Sequence, residues 1–181
     1  MLKIAVLYGG GFSESDVSKD SADAVVAALK ELKYEVFPVE YSDNFAIDIL
    51  SIKPDVVFNA MHGKMGEDGV VPAMLDAMRI KYTHSGCKAS AICMNKNVTY
   101  LMAKTLDVIV SDYFLYQEHR DLTEQEQKIL AEPFVVKPNA EGSSVGVEII
   151  EKNKSYNLKD YKFEHGPAII QKYVKGRELS V

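Results

Sequence analysis

One stretch narrows the possible folds of this chain more than any other: Phe134-Val135-Val136-Lys137-Pro138-Asn139-Ala140-Glu141-Gly142-Ser143-Ser144-Val145-Gly146-Val147. A β-branched run delivers a single lysine, Pro138 stops the ladder, a short Gly/Ser loop follows, and a second apolar strand resumes at Val145. Lys137 follows an apolar strand end, so its ammonium is expected in a partly dry site. Gly142 and Gly146 allow positive φ, and the small Ser143 and Ser144 let backbone N–H groups approach a ligand closely. A lysine beside a loop of free amides suits a polyphosphate. The plainer alternative is a β-hairpin with a Gly-rich turn and a surface lysine.

With 181 residues the chain has room for one large domain or two small ones. The 47% hydrophobic and 26% charged shares are those of an ordinary globular protein, and the net charge of −5 carries no nucleic-acid footprint. Cys87 and Cys93, with five residues between them, match no zinc or redox spacing. With no signal peptide and no apolar run near 18 residues, the expectation is a cytoplasmic protein with reduced thiols and no membrane partner.

The first half reads as alternating strands and helices. Leu2–Tyr8 is a buried parallel-type strand running into Gly9-Gly10-Gly11, then a helix through about Leu32, with Val17, Ala24, Ala28 and Leu32 on one face and Val25 and Leu29 beside them. The Rossmann fingerprint fails because Glu14 stands where the third glycine belongs, and no Gly-Lys-Ser/Thr follows for a P-loop. Glu14 is left above a strand's carboxyl end, where α/β folds bind ligands. Capping of the helix, shared with Ser13 and Asp16, is the alternative role. Strands follow at 34–39 and 55–60, with a helix at 46–52 between them. The loop Met61-His62-Gly63-Lys64-Met65-Gly66-Glu67-Asp68-Gly69, dense in glycine and charge, puts His62 at a strand end. A helix at 70–78, a fourth strand at 80–84 with His84 as a structural residue, and a helix at 98–106 complete this part. Lys96 opens that last helix against its macrodipole, which is mildly unfavourable unless an anion is near.

From about residue 96 the grain changes, giving two domains, 1–95 and 96–181. Strands are expected at 108–110, 113–116, 145–150 and 168–174. Leu122–Ala131 forms a helix capped by Thr123 with Glu126, and 151–161 is a solvated connection. Leu179 and Val181 alternate around Ser180 as in a strand, and an unpaired, half-apolar edge there suggests a chain cut short.

In order along the chain, Leu7-Tyr8-Gly9-Gly10 with Glu14 and Val17-Ser18, His62-Gly63 with Gly66-Glu67-Asp68-Gly69, Tyr82-Thr83, Ser85-Gly86, Met94-Asn95-Lys96, Val136-Lys137-Pro138, Glu141-Gly142-Ser143-Ser144-Val145-Gly146 and Gly176-Arg177-Glu178 make a pattern. It resembles the D-alanine–D-alanine ligases of the ATP-grasp family, in their N-terminal two-thirds. The resemblance implies a Rossmann-like parallel-sheet N-terminal domain followed by the small α+β lobe of an ATP-grasp fold, with the C-terminal lobe missing. The implied activity is the ATP-dependent joining of two D-alanines through D-alanyl phosphate for peptidoglycan, with magnesium or manganese in the intact enzyme and a homodimer formed through the N-terminal domain. Glu14 would hold the first D-alanine's ammonium, His62 would lie near its carboxylate, and Ser143 would orient Glu14. Lys96 and Lys137 would neutralise ATP phosphates, and the loop of Glu141, Gly142, Ser143 and Ser144 would close over them. Gln171, Lys172 and Val174 would meet adenine, and Glu178 the ribose.

The departures from the family pattern are specific. Asn95 replaces the usual aspartate, a change expected to loosen Lys96. Gln171 replaces a frequent glutamate, Ser15 a common arginine, and Leu106-Asp107-Val108 lacks the usual prolines. The family's metal ligands would lie beyond Val181, so the chain alone is expected to be an incompetent ligase. A non-catalytic binding or dimerisation protein, or a fragment of a D-alanyl-D-lactate ligase, remain alternatives.

Overall fold

The computed structural model describes residues 1–10, 14–117, 120–142 and 144–179. Two compact units divide the chain, Met1–Met94 and Asn95–Val181.

The first unit is built on a parallel sheet of order β2-β1-β3, from β1 (Lys3–Gly9), β2 (Glu35–Tyr41) and β3 (Val56–Asn59). Helices α1 (Ser15–Glu31), α2 (Phe45–Ile52), α3 (Val70–Ala77) and α4 (Cys87–Met94) complete it. The run Ile4-Ala5-Val6-Leu7 is apolar at every position because β1 is covered on both faces. Ala5 and Leu7 pack with Phe45, Ile49, Val57 and Leu75, while Ile4 and Val6 pack with Ala22 and Ala60. Each buried Ile or Leu contributes about 1.5–3 kcal/mol, so this strand anchors the unit and fixes where its carboxyl end emerges.

Helix α1 is rotated from the face expected on sequence. Ser18 is fully buried, and its Oγ accepts from the Gly9 N–H at 2.8 Å and donates to the Ala60 carbonyl at 2.9 Å. That polar staple ties the helix to the ends of β1 and β3. It turns Ser18, Ala22, Val25 and Leu29 inward and leaves Val17 50% and Leu32 67% exposed. The expected strand at 80–84 reduces to one parallel bridge, Val57 to Tyr82, because Arg79 and His84 take positive φ on either side of it.

In the second unit the sheet is antiparallel, in the order β4-β7-β5-β6, from β4 (Tyr113–Tyr116), β5 (Phe134–Pro138), β6 (Glu148–Ile150) and β7 (Ala168–Lys172). Helices α5 (Lys96–Thr105) and α6 (Glu124–Leu130) accompany it. One sheet face carries Phe114, Tyr116, Phe134, Val136 and Ile170 into a core with Ile129 of α6. By strand alternation the other face carries Tyr113, Val135, Lys137, Ile169 and Gln171.

Three expectations fail here for local reasons. Residues 108–110 form no strand; Asp107 takes φ +56°, the Val108 N–H returns to the Ala103 carbonyl, and this left-handed cap uses Val108 to close α5, leaving Ile109 98% exposed. Strand β6 starts at Glu148 because Ser144 and Gly146 turn the chain at positive φ. Residues 151–161 are more than a solvated connection: Leu158 is buried, and Tyr156 and Tyr161 pack on the core. Their spacing follows neither a helical nor a strand period. At the end of the described chain Leu179 is outside any strand and 74% exposed, and Ser180 and Val181 lie outside the described residues.

Candidate functional site

The first unit places Glu14 directly after the β1 loop, at the cap position of α1, yet its side chain makes no capping bond. The residue is 3% exposed, and its Oε2 has no hydrogen-bond partner among the described residues. Gly63 takes φ +65°, and a Cβ there would overlap the Glu14 carboxylate, so glycine at 63 makes the space this group occupies.

The loop around Gly63 is held mainly by acidic side chains acting on backbone. Glu67 Oε2 accepts from the Gly63 N–H at 2.6 Å, Asp68 Oδ2 from Met65 at 2.9 Å and Asp68 Oδ1 from Val70 at 3.0 Å. Asn59 Oδ1 accepts from Met61, and its Nδ2 donates to the Gly66 carbonyl. Within the Gly-Glu-Asp-Gly string one Glu67 oxygen and both Asp68 oxygens are thus held by backbone N–H groups. His62 Nε2 shares a 3.0 Å hydrogen bond with Ser21 Oγ, and the ring lines a cleft of about 510 Å³ with Phe58, Glu67, His84, Ser90 and Cys93. His84, expected to be structural, belongs to this cleft, bonded to Thr83 Oγ1 at 2.8 Å and edge-on to Phe58. The signal for it was its position after Tyr82-Thr83, a segment beside β3 whose extended stretch ends at the same side as His62.

The second unit gathers Lys96, Lys137, Glu141 and Gln171. Asn95 caps α5 by accepting from the Val98 N–H at 3.1 Å. The Lys96 N–H donates to the Asn139 carbonyl and the Asn97 N–H to Asn139 Oδ1, so these first helical amides are satisfied. What α5 offers a ligand is the Lys96 side chain. Its Nζ donates to the Glu141 carbonyl at 2.5 Å, and burial, then the charge of Lys137, hold its pKa below the usual lysine value against the opposing pull of Glu141.

Lys137 Nζ donates to Gln171 Oε1 at 2.8 Å and to Tyr100 Oη at 2.9 Å. Lys137 is half-buried, as expected of a partly dry site, and β5 and β6 pair as the hairpin of the alternative reading, though without its surface lysine. Tyr100 was missed, although it follows Lys96 by one helical turn and so shares its face. The Glu141 carboxylate is bonded to His165 Nδ1 at 3.2 Å. Lys172 lies on the other sheet face, lining a cleft with Asp112, Thr123 and Lys128, and its carbonyl accepts from Ser111 Oγ. Gly142 is half-buried, while Ser144, Val174 and Glu178 are exposed. Ser143 lies outside the described residues.

A parallel α/β unit with a buried carboxylate, joined in one chain to an antiparallel unit with paired lysines, is a mixed α/β fold of the kind found in ligases. Structurally the chain matches a D-alanine–D-alanine ligase from Bacillus anthracis with a TM-score of 0.83 at 32% identity, covering 97% of this chain and 59% of that one. The same enzyme complexed with ATP gives 0.80 at 30% identity, covering 97% and 60%. The family model described as D-ala D-ala ligase C-terminus matches residues 102–181. D-Alanine–D-alanine ligase of Rickettsia africae is 38% identical over 179 residues, covering 98% of this chain and 55% of that protein, and the Rickettsia peacockii enzyme is 39% identical over 181 residues, with the same coverage. The chain belongs to the D-alanine–D-alanine ligase family and spans about 55% of the length of these curated relatives. No helix among the described residues is long and apolar enough to cross a membrane.

Proposed function

We propose that this chain is the part of an ATP-dependent D-alanine–D-alanine ligase that receives the first D-alanine and grips the nucleotide phosphates. In this reading residues 1–95 are the Rossmann-like amino-acid-binding domain and residues 96–181 the small lobe of an ATP-grasp fold. The observation that carries it is Glu14: a buried carboxylate with an unmet acceptor suits the ammonium of an amino acid. His62 supplies a polar edge near the same loop for the substrate carboxylate. Lys96 and Lys137 neutralise phosphate oxygens, and the 141–144 loop limits water around them. The Bacillus anthracis relative complexed with ATP supports nucleotide as the second ligand. Joining the two D-alanines through D-alanyl phosphate is the reaction this placement serves.

ATP phosphates fit the lysine face. A metal ion does not fit what is described: among these residues no group of three or more His, Cys, Asp or Glu could hold one. No step is therefore assigned to magnesium here.

The test is a phosphate-release assay of the chain with D-alanine and ATP, with and without the part of a relative that it does not cover, beside calorimetric titration of D-alanine. Release on complementation, with D-alanine binding lost in Glu14→Gln, is the expected result. Equal D-alanine binding by the parent and Glu14→Gln would overturn the assignment.

A further inference from the structure

The cleft at the end of β3 is lined by two histidines, and a hydroxyl tethers each ring by one nitrogen. His62 Nε2 pairs with Ser21 Oγ at 3.0 Å, and His84 Nδ1 with Thr83 Oγ1 at 2.8 Å. Thr83 Oγ1 already accepts from the Asn59 N–H at 3.1 Å, so the proton it has left to place goes to His84 Nδ1. Ser21 Oγ has His62 as its one hydrogen-bond partner among the described residues, and it keeps its own proton bonded by donating to Nε2. Neutral rings tethered in this way carry their protons on the opposite nitrogens, Nδ1 of His62 and Nε2 of His84. Neither of those atoms has a hydrogen-bond partner among the described residues. His84 also takes φ +78°, a backbone that a residue other than glycine adopts at a cost, and its ring is held edge-on to Phe58 at 5.7 Å.

We propose that His62 and His84 form a two-point site for one carboxylate, each giving an N–H to one of its oxygens, with Ser21 and Thr83 as the positioning residues that fix the two tautomers. Two N–H donors on the wall of one cleft of about 510 Å³ select an anion. Glu67 lines the same cleft with a carboxylate of its own, which opposes a phosphate dianion more strongly than a singly charged ligand. Val25, Phe58 and Ala89 give the remainder apolar walls that suit a short aliphatic body. The carboxylate can belong to the amino acid whose ammonium Glu14 takes, because Glu14 lies against Gly63, the residue after His62. It can equally belong to a free short-chain acid. The first source rests on the proposed function; the two-imidazole site does not.

NMR titrations of the full chain with D-alanine, D-alaninamide and propionate test this. The amide lacks the carboxylate and propionate lacks the ammonium. His84→Phe, which keeps a ring against Phe58 but loses the donor, should weaken D-alanine and propionate by about five- to tenfold and leave D-alaninamide at the parent level. Nitrogen spectra of the imidazoles, taken above the pH range in which histidines titrate, should show protons on His62 Nδ1 and His84 Nε2. Ser21→Ala and Thr83→Val should each mix the tautomers of the neighbouring ring and weaken propionate by about two- to fivefold, and Thr83→Ser should restore both. A merely structural role for these hydroxyls would leave the tautomers unmoved. If His84→Phe binds D-alanine and propionate as the parent does while Glu14→Gln loses D-alanine, the carboxylate site falls and the reading of Glu14 stands. If Glu14→Gln keeps D-alanine while His84→Phe loses propionate, the reading of Glu14 falls and the carboxylate site stands, with a free acid as its ligand. Parent rings that carry their protons on the tethered nitrogens would overturn the proposal outright.

Discussion

Replacing Glu14 by glutamine should make the first unit more stable and deaf to its substrate. A buried polar group left without a partner costs about 1–3 kcal/mol, and more when charged. Against this, a negative charge at a helix start recovers about 0.3–1 kcal/mol from the α1 dipole. Glutamine keeps the shape that fits against Gly63 but sheds the charge, so the net expected gain is about 1 kcal/mol. For a unit of this size that raises the melting temperature by about 4–8 °C. Glu14→Met, which also removes the orphaned oxygen, should gain at least as much.

Scanning calorimetry is the assay, because two units need not unfold together and each transition must be followed separately. In the parent, D-alanine at about a hundred times its dissociation constant should stabilise the first unit by about 2.7 kcal/mol, and in both variants that increment should vanish. A substituted chain that melts several degrees below the parent without ligand would refute the reasoning. Glu14 would then be a paired structural group.

Gly63→Ala places a Cβ against the Glu14 carboxylate at φ +65°. It should cost about 1–2 kcal/mol for the left-handed backbone and more for the displaced carboxylate. Adding Glu14→Ala should recover the second part, a non-additivity above about 0.5 kcal/mol in a double-mutant cycle. Glu126 is held at a pKa of about 2, below its ordinary 4.5, chiefly by the Arg120 guanidinium 2.6 Å away. A depressed carboxylate stabilises the fold above pH 4.5, and that support is lost as pH falls from 4.5 toward about 2. With Arg120 32% exposed and screened, the loss should be about 1–2 kcal/mol, and acid titration of Glu126→Gln should lack it. The lowered Lys96 pKa works the other way. The unfolded chain holds that proton more tightly, so stability rises with pH toward the ordinary lysine range, while tripolyphosphate affinity falls across the same window in calorimetric titration.

Much of this architecture was legible because its signals are local. The Leu2–Tyr8 run, the Thr123–Glu126 capping box and the Lys137 strand each declare themselves within a few residues, and the structure has all three. What escaped the sequence depends on partners far along the chain. The rotation of α1 is set by Ser18 bonding to Ala60, 42 residues away, which no helical wheel can show. The 151–161 segment looked solvated because Tyr156, Leu158 and Tyr161 obey no period, yet the open face of the second sheet takes them in. Tyr100 went unnoticed because its partner, Gln171, lies 71 residues on.

The acidic residues show how scaffold separates from site. Glu67, Asp68 and Glu126 stand in conspicuous sequence contexts; both oxygens of Asp68 and of Glu126, and one of Glu67, are bonded to backbone N–H groups or to a guanidinium. Glu14, which the sequence already set above a strand's carboxyl end, is more buried than any of them and keeps one oxygen unmet among the described residues. The other buried orphan among the described residues is Tyr161 Oη, a neutral group whose pKa is raised by burial. A neutral hydroxyl can be left dry at modest cost, whereas a carboxylate cannot be, unless something cationic completes it. The same logic runs with opposite sign on the second sheet, where among the described residues Lys137 donates to the neutral oxygens of Tyr100 and Gln171. Among the described residues, one Glu14 oxygen in the first unit has no partner, and the hydrogen bonds of Lys137 in the second go to neutral oxygens. On the proposed function, an amino acid's ammonium and a nucleotide's phosphates are the complements of those two groups.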